Sequence, residues 1–118
     1  MSLFTQTVEP VVLDVSNQAN WYVEIADFDE DGADISHSGE DLRATLRDND
    51  DEEVLDLDAY ISLKPGANNT IVIDVPWSVV KDIEPGEYPT TIVNVVDADN
   101  REEVLPLVFR QTSGPTRA

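Results

Sequence analysis

Residues 27–32 of this 118-residue chain, Asp-Phe-Asp-Glu-Asp-Gly, have the types and spacing that could do chemistry. Oxygen ligands at the first, third and fifth positions of a loop, with glycine at the sixth, open the calcium loop of an EF-hand. Asp27, Asp29 and Asp31 are therefore candidate calcium ligands. The rest of the motif does not fit, because Asp34 stands at the apolar position and Ser38 at the position of the bidentate glutamate.

This run has two interpretations. One is a calcium-binding turn between strands that is not an EF-hand, and the other is a solvated Asp-Gly turn in which Gly32 supplies a positive φ. The incomplete motif favours the solvated turn, so we assign no metal site and keep Asp27, Asp29 and Asp31 as weak candidates. Residues 97–100, Asp-Ala-Asp-Asn, have the same two interpretations. We expect no cofactor, and calcium is the one ligand that these patterns would allow.

His37 is the only histidine, and it lies between Ser36 and Ser38. A catalytic interpretation would make one serine the nucleophile and the imidazole its general base. Serines adjacent to a histidine on one loop rarely have the geometry that this proton transfer needs. The sequence therefore predicts no catalytic residue and indicates that the protein is not an enzyme.

The net charge is the strongest anomaly of composition. The chain has 25 acidic and 7 basic residues, which gives a formal charge of −18, and Lys64 and Lys81 are its only lysines. Such a charge repels nucleic acid and anionic membranes, so neither is an expected partner. An acidic, lysine-poor composition is typical of proteins from halophiles, where concentrated salt screens like charges. An ordinary acidic surface is the alternative explanation.

Other classes are excluded by what the sequence lacks. There is no cysteine, so the protein cannot contain a disulfide framework or a cysteine-based metal site. No apolar run is as long as the roughly 18 residues of a membrane span, and the first residues lack the basic flank of a signal peptide. We therefore expect a soluble protein that does not use the general secretion route.

The elements that would position these residues follow a period of two. In residues 42–47, for example, Leu42, Ala44 and Leu46 alternate with polar neighbours, which predicts a strand with Arg43 and Arg47 on its solvent face. Seven or so short strands separated by turn residues predict one all-β domain, 1–118, built as an antiparallel sandwich. The predicted strands cover residues 11–15, 21–26, 42–47, 54–63, 71–75, 88–96 and 104–110.

One short helical turn interrupts the strands. Pro76 suits the first helical position, and Trp77, Val80 and Ile83 follow at helical spacing, so we predict a turn near residues 76–83 with these three side chains inside. Residues 65–69 predict a turn, and the polar residues 112–118 a flexible tail. Asp74 should face outwards. The predicted core consists of Trp21, Val23, Ile25, Leu42, Leu46, Ile71, Ile73, Trp77, Tyr88 and Ile92.

The order of these pieces resembles a known family. The first half has the acidic turn, an Asp34-Ile35-Ser36 step, Ser38-Gly39 and a strand that ends in Arg47. The second half has the strand of residues 71–75, the helical turn, the opener Pro85-Gly86-Glu87-Tyr88 and a final Thr116-Arg117. Over residues 20–117 this order is similar to the immunoglobulin-like N-terminal domain of baseplate upper proteins of tailed phages, and to small stand-alone virion proteins of that shape.

The resemblance implies both a fold and a role. The fold would be an immunoglobulin-like β-sandwich, and the protein would be a non-enzymatic structural component of a tailed-virus particle, in its tail, baseplate, neck or capsid surface. Its partners would be other virion proteins and copies of itself, and the acidic composition would fit a halophilic or marine host. The alternative is a calcium-dependent β-sandwich module that binds a surface or a carbohydrate through Asp27, Asp29 and Asp31.

Overall fold

A computed structural model describes residues 11–112, and within this range it confirms the predicted all-β fold. The strands separate into packed sheets, and the one short α-helix lies at the predicted turn. In chain order the elements are β1 (Val11–Ser16), β2 (Trp21–Ala26), β3 (Leu42–Arg43), β4 (Thr45–Arg47), β5 (Glu53–Asp56), a 3-10 turn (Asp58–Tyr60), β6 (Ile61–Lys64), β7 (Ala67–Val75), α1 (Trp77–Val80), β8 (Gly86–Asp97) and β9 (Asn100–Thr112).

Two sheets form the sandwich. The first has the order β1-β9-β8-β3, and the second has the order β2-β7-β6. Strands β4 and β5 form a separate two-stranded ribbon. The long β8–β9 hairpin forms the two central strands of the first sheet. Bulges after Ile92 and Val95 interrupt its register.

The pairing of β1 with β9 is parallel, with Val11 opposite Leu107 and Ser16 opposite Thr112. The sequence predicted antiparallel neighbours, which is correct for the other strand pairs of the described chain. Parallel neighbours need a long connection. Here the rest of the domain provides it, because β1 and β9 stand at opposite ends of the described chain.

Most of the side chains that were predicted to point inward are buried in the core. Val23 and Leu42 are half-buried at its margin. Arg43 and Asp74 are exposed as predicted, and Arg47 is half-exposed. Of the predicted core, Trp21, Ile25, Leu46, Ile71, Ile73, Tyr88 and Ile92 are buried, and Leu57, Val75, Val80, Ile83, Leu107 and Phe109 join them.

The prediction for Trp77 was wrong. Its side chain is 48% exposed, whereas Val80 and Ile83 are buried as predicted. Because α1 has only one turn, its first residue lies beside the loop after β1 and not over the core. The Trp77 indole donates to the Asn17 carbonyl at 3.1 Å, and the Trp77 amide donates to the Asn20 side chain at 2.8 Å.

Several boundaries also differ from the sequence prediction. The strand predicted over 42–47 is divided at Ala44, whose amide and carbonyl bond to Asp58 and Leu57. The turn predicted over 65–69 ends at Gly66, because Ala67 already pairs with Lys64 in the β6–β7 hairpin. Thr112 belongs to β9, and the remainder of the predicted tail lies outside the described residues.

Candidate functional site

The candidate calcium turn is held by its own backbone. The Asp29 carboxylate accepts hydrogen bonds from the amides of Asp31 at 2.8 Å and Ala33 at 2.9 Å, and Gly32 has a φ of 84°. The Asp27 carboxylate points elsewhere, to the ring of His37. This geometry is that of an aspartate-stabilised turn. The structure therefore does not bring Asp27, Asp29 and Asp31 together around one point.

A wider search for metal ligands gives the same result. Within residues 11–112, no three histidine, cysteine, aspartate or glutamate side chains form a group that could hold a metal ion. At the second candidate turn, the Asp97 carboxylate accepts from the Asn100 side chain at 2.8 and 2.9 Å and from the Asp99 amide at 2.9 Å. The hydrogen bonds from Asn100 lower the pKa of Asp97. Both turns thus use their carboxylates as internal acceptors.

His37 is buried, with 3% of its surface exposed, between two carboxylates. Its Nε2 lies 2.9 Å from Asp27 Oδ2, and its Nδ1 lies 2.7 Å from Glu40 Oε1. Each ring nitrogen of His37 therefore has a carboxylate oxygen within hydrogen-bond distance. The ring ties the start of the acidic turn to the segment that precedes β3.

The serines beside His37 take no part in this arrangement. Ser36 Oγ accepts a hydrogen bond from the Ser38 amide at 3.2 Å, and the described hydrogen bonds of the His37 ring go to Asp27 and Glu40. The nucleophile and base arrangement considered from the sequence is not assembled. His37 has a structural role that sequence spacing could not indicate, because its partners lie ten residues before it and three after it.

A different site emerges on the outer face of the first sheet. The pairing of β3 with β8 ends at Arg43, and beyond Ala44 the chain continues as β4. A groove of about 470 Å³ opens there between β4 and β8. This volume lies in the range of roughly 300–1,000 Å³ that ligand pockets occupy. The groove is lined by Arg43, Ala44, Thr45, Arg47, Asp51, Asp58, Pro89, Thr90, Thr91, Val93 and Arg101.

Three arginines line this groove in a strongly acidic protein. Arg43 forms two hydrogen bonds with Asp41, at 3.2 and 3.1 Å, and these bonds raise the pKa of its guanidinium. Arg47 donates to the Asp51 carbonyl at 3.0 Å. Within residues 11–112, Arg101 has no carboxylate within ion-pair distance. The groove therefore has a free guanidinium beside two that are held in place.

Part of this groove was predictable from the sequence. The alternation in residues 42–47 placed Arg43 and Arg47 on one outward face, as the structure confirms. Arg101 could not be added from the sequence, because its position depends on its pairing with Val95 across the β8–β9 hairpin. That register includes a bulge on each side of the position, and no glycine marks either bulge in the sequence.

Exposed apolar side chains mark two further surfaces. Val11 and Val12 are 37% and 44% exposed on β1, and no described strand pairs with the outer edge of that strand. Phe28, in the acidic turn, is 53% exposed, and Ile35 beyond that turn is also exposed. Large exposed apolar side chains beside polar ones are typical of interaction surfaces.

The comparisons with known proteins do not identify the chain. No protein-family model and no curated protein matches this sequence. No helix within residues 11–112 has the length and apolar character needed to cross a membrane.

Proposed function

We propose that this protein is a non-enzymatic structural component of a tailed-virus particle that acts by assembling with copies of itself and with neighbouring virion proteins. The resemblance of residues 20–117 to phage baseplate and virion domains supports this proposal, and the all-β sandwich is the fold that the resemblance implies. Within the particle, the protein would belong to the tail, the baseplate, the neck or the capsid surface.

The observation that carries the proposal is the outer edge of β1. Edge strands of monomeric proteins are usually protected by lysine, proline, bulges or a covering segment, because an unpaired edge is a template for another strand. Strand β1 has the sequence Val-Val-Leu-Asp-Val-Ser, and Val11 and Val12 are exposed on it. An apolar strand with an outer edge that no described strand covers suits a subunit that meets another chain there.

Two further arrangements of side chains suit an assembly role. The buried His37 engages carboxylates that hold a turn, and the arginines of the groove suit the recognition of acidic groups. The groove thus offers a surface that suits contact with an acidic partner. The calcium-dependent alternative has no support in the geometry of Asp27, Asp29 and Asp31.

The proposal is tested on the virus particle itself. Particles are purified through two density gradients, washed in high salt and analysed by quantitative mass spectrometry. We expect this chain at a fixed ratio to the major capsid protein, and we expect that ratio to survive the wash. A protein abundant in infected cells but absent from the purified particles would contradict the proposal.

A further inference from the structure

We propose that the arginine groove receives the acidic turn, residues 27–34, of a second copy of this protein. The arginine groove is the cavity between β4 and β8 that Arg43, Arg47 and Arg101 line. This inference rests on the proposed function, and it specifies one of the contacts through which copies would assemble. The contact is head-to-tail, because the groove and the turn are different surfaces of the same chain.

Charge is the first argument for this occupant. The groove combines guanidinium groups with the hydroxyl groups of Thr45 and Thr91, and such donors suit oxyanions. Asp51 and Asp58 also line the groove, but they lie beside Arg47 and Arg43 at 3.8 and 3.9 Å. The guanidinium of Arg101 has no such neighbour among the described residues, so it is available to an incoming carboxylate.

Size and apolar surface are the second argument. At about 470 Å³ the groove is much larger than a single inorganic anion needs, and Pro89 and Val93 give it apolar wall. The acidic turn has matching components, because exposed Phe28 stands beside Asp29, Glu30 and Asp31. A phenyl ring can lie over a guanidinium while neighbouring carboxylates pair with other arginines.

The rigidity of the turn is the third argument. Asp29 holds the backbone of the turn from within, and the contact of Asp27 with His37 fixes where the turn begins. A ligand that is already ordered loses little conformational entropy when it binds. The turn can therefore present Phe28, Glu30 and Asp31 without first being organised by its partner.

The net charge makes the formation of this contact depend on the salt concentration. Two copies with a formal charge of −18 repel each other at low salt, and that repulsion acts over a Debye length of about 10 Å at 0.1 M. At about 1 M salt the screening length is about 3 Å, so distant charges no longer matter while groups in contact still interact. Head-to-tail contacts of one kind generate rings or filaments when they repeat.

The test compares three variants of the whole protein, two that change a charge and one that changes an apolar side chain. Their self-association is measured by sedimentation in about 0.5 M salt, where screening acts over roughly 4 Å. Arg101→Glu changes the groove, Phe28→Ser changes the turn, and Lys81→Glu is a matched control with the same charge change away from the groove. Thermal melting of each variant verifies that it is folded. We expect the first two to weaken self-association by at least about tenfold and the control to remain close to the wild type.

A mixing experiment identifies the two surfaces as partners. Arg101→Glu keeps an intact turn and Phe28→Ser keeps an intact groove, so a mixture can form one complete contact per pair. We expect the mixture to form pairs that neither variant forms alone through this contact. Undiminished association of Arg101→Glu, or failure of the mixture to recover any association, would overturn the groove contact while leaving assembly through other surfaces intact. A wild-type protein that never associates would overturn both.

Discussion

The indole of Trp21 and the ring of Phe109 stack between the two sheets, with centroids 4.9 Å apart and planes inclined by 10°. Trp21 begins β2 in one sheet, and Phe109 lies on β9 in the other. Gln111 completes the arrangement, since it accepts from the Trp21 indole at 3.2 Å and donates to the Ile83 carbonyl at 3.1 Å. The stack and the buried hydrogen bonds join the sheets to the end of the helical turn.

Removing one ring of this stack should be costly. Phe109 is fully buried, so we expect Phe109→Ala to lower the free energy of unfolding by about 3–5 kcal/mol, through lost burial and the cavity that remains. Val96→Ala is the control at an exposed strand position, and it should change stability by less than about 0.5 kcal/mol. Chemical denaturation measures both. Equal losses for the two variants would show that the stack does not anchor the core.

Because Asp27 bonds to His37, we expect its contribution to stability not to depend on calcium. Asp27→Asn removes a charged partner from a buried ring, and we expect it to destabilise the protein by roughly 1–3 kcal/mol, equally in calcium and in a chelator. Asp31→Asn, at an exposed position of the same turn, should have little effect. Thermal melting in both conditions measures this. A melting temperature of the wild type that rises with calcium would instead support the calcium-binding alternative.

The ionisation of Tyr88 should lower the free energy of unfolding at high pH. Its hydroxyl donates to the Glu84 carbonyl, and burial raises the pKa of Tyr88. The unfolded chain releases this proton near pH 10 while the folded chain retains it, so the stabilisation is complete below about pH 10 and is lost as pH rises towards the folded pKa. We expect Tyr88→Phe to lose less stability than the wild type between about pH 9 and 11. Parallel pH profiles of the two proteins would contradict this account.

The alternation of side chains was sufficient to predict the strands and most of the core. Helical spacing gave the wrong prediction for Trp77, because it does not tell whether the first residue of a single turn faces the core or a neighbouring loop. The alternation also could not predict the parallel pairing of β1 with β9, because partners at opposite ends of the chain leave no local pattern.

The candidate sites were less predictable for a related reason. The acidic turn was visible as a motif, but the roles of its carboxylates depend on His37 and on backbone amides that a motif does not specify. In the groove, Arg43 and Arg47 follow from strand periodicity, whereas Arg101 is placed by the hairpin register. The sequence alone could not predict which residues far apart in the chain lie together in the fold.

Salt should stabilise this protein. The formal charge of −18 and the crowded acids of residues 27–34 and 48–53 oppose compaction, and the unfolded chain can spread these charges apart. The Debye length falls from about 10 Å at 0.1 M to about 3 Å at 1 M, so repulsion weakens while apolar contacts persist. We expect the melting temperature to rise between about 0.1 and 2 M sodium chloride. An unchanged or falling melting temperature would remove the halophilic interpretation.

The most direct test of the assembly account is the mass of the protein in solution. Sedimentation equilibrium is measured over about a hundredfold range of concentration, at low salt and at about 1 M sodium chloride, where screening acts over about 3 Å. The account predicts a mass that rises above the 13.1 kDa of one chain as concentration and salt increase. A mass of 13.1 kDa at every concentration and in both salts would contradict it.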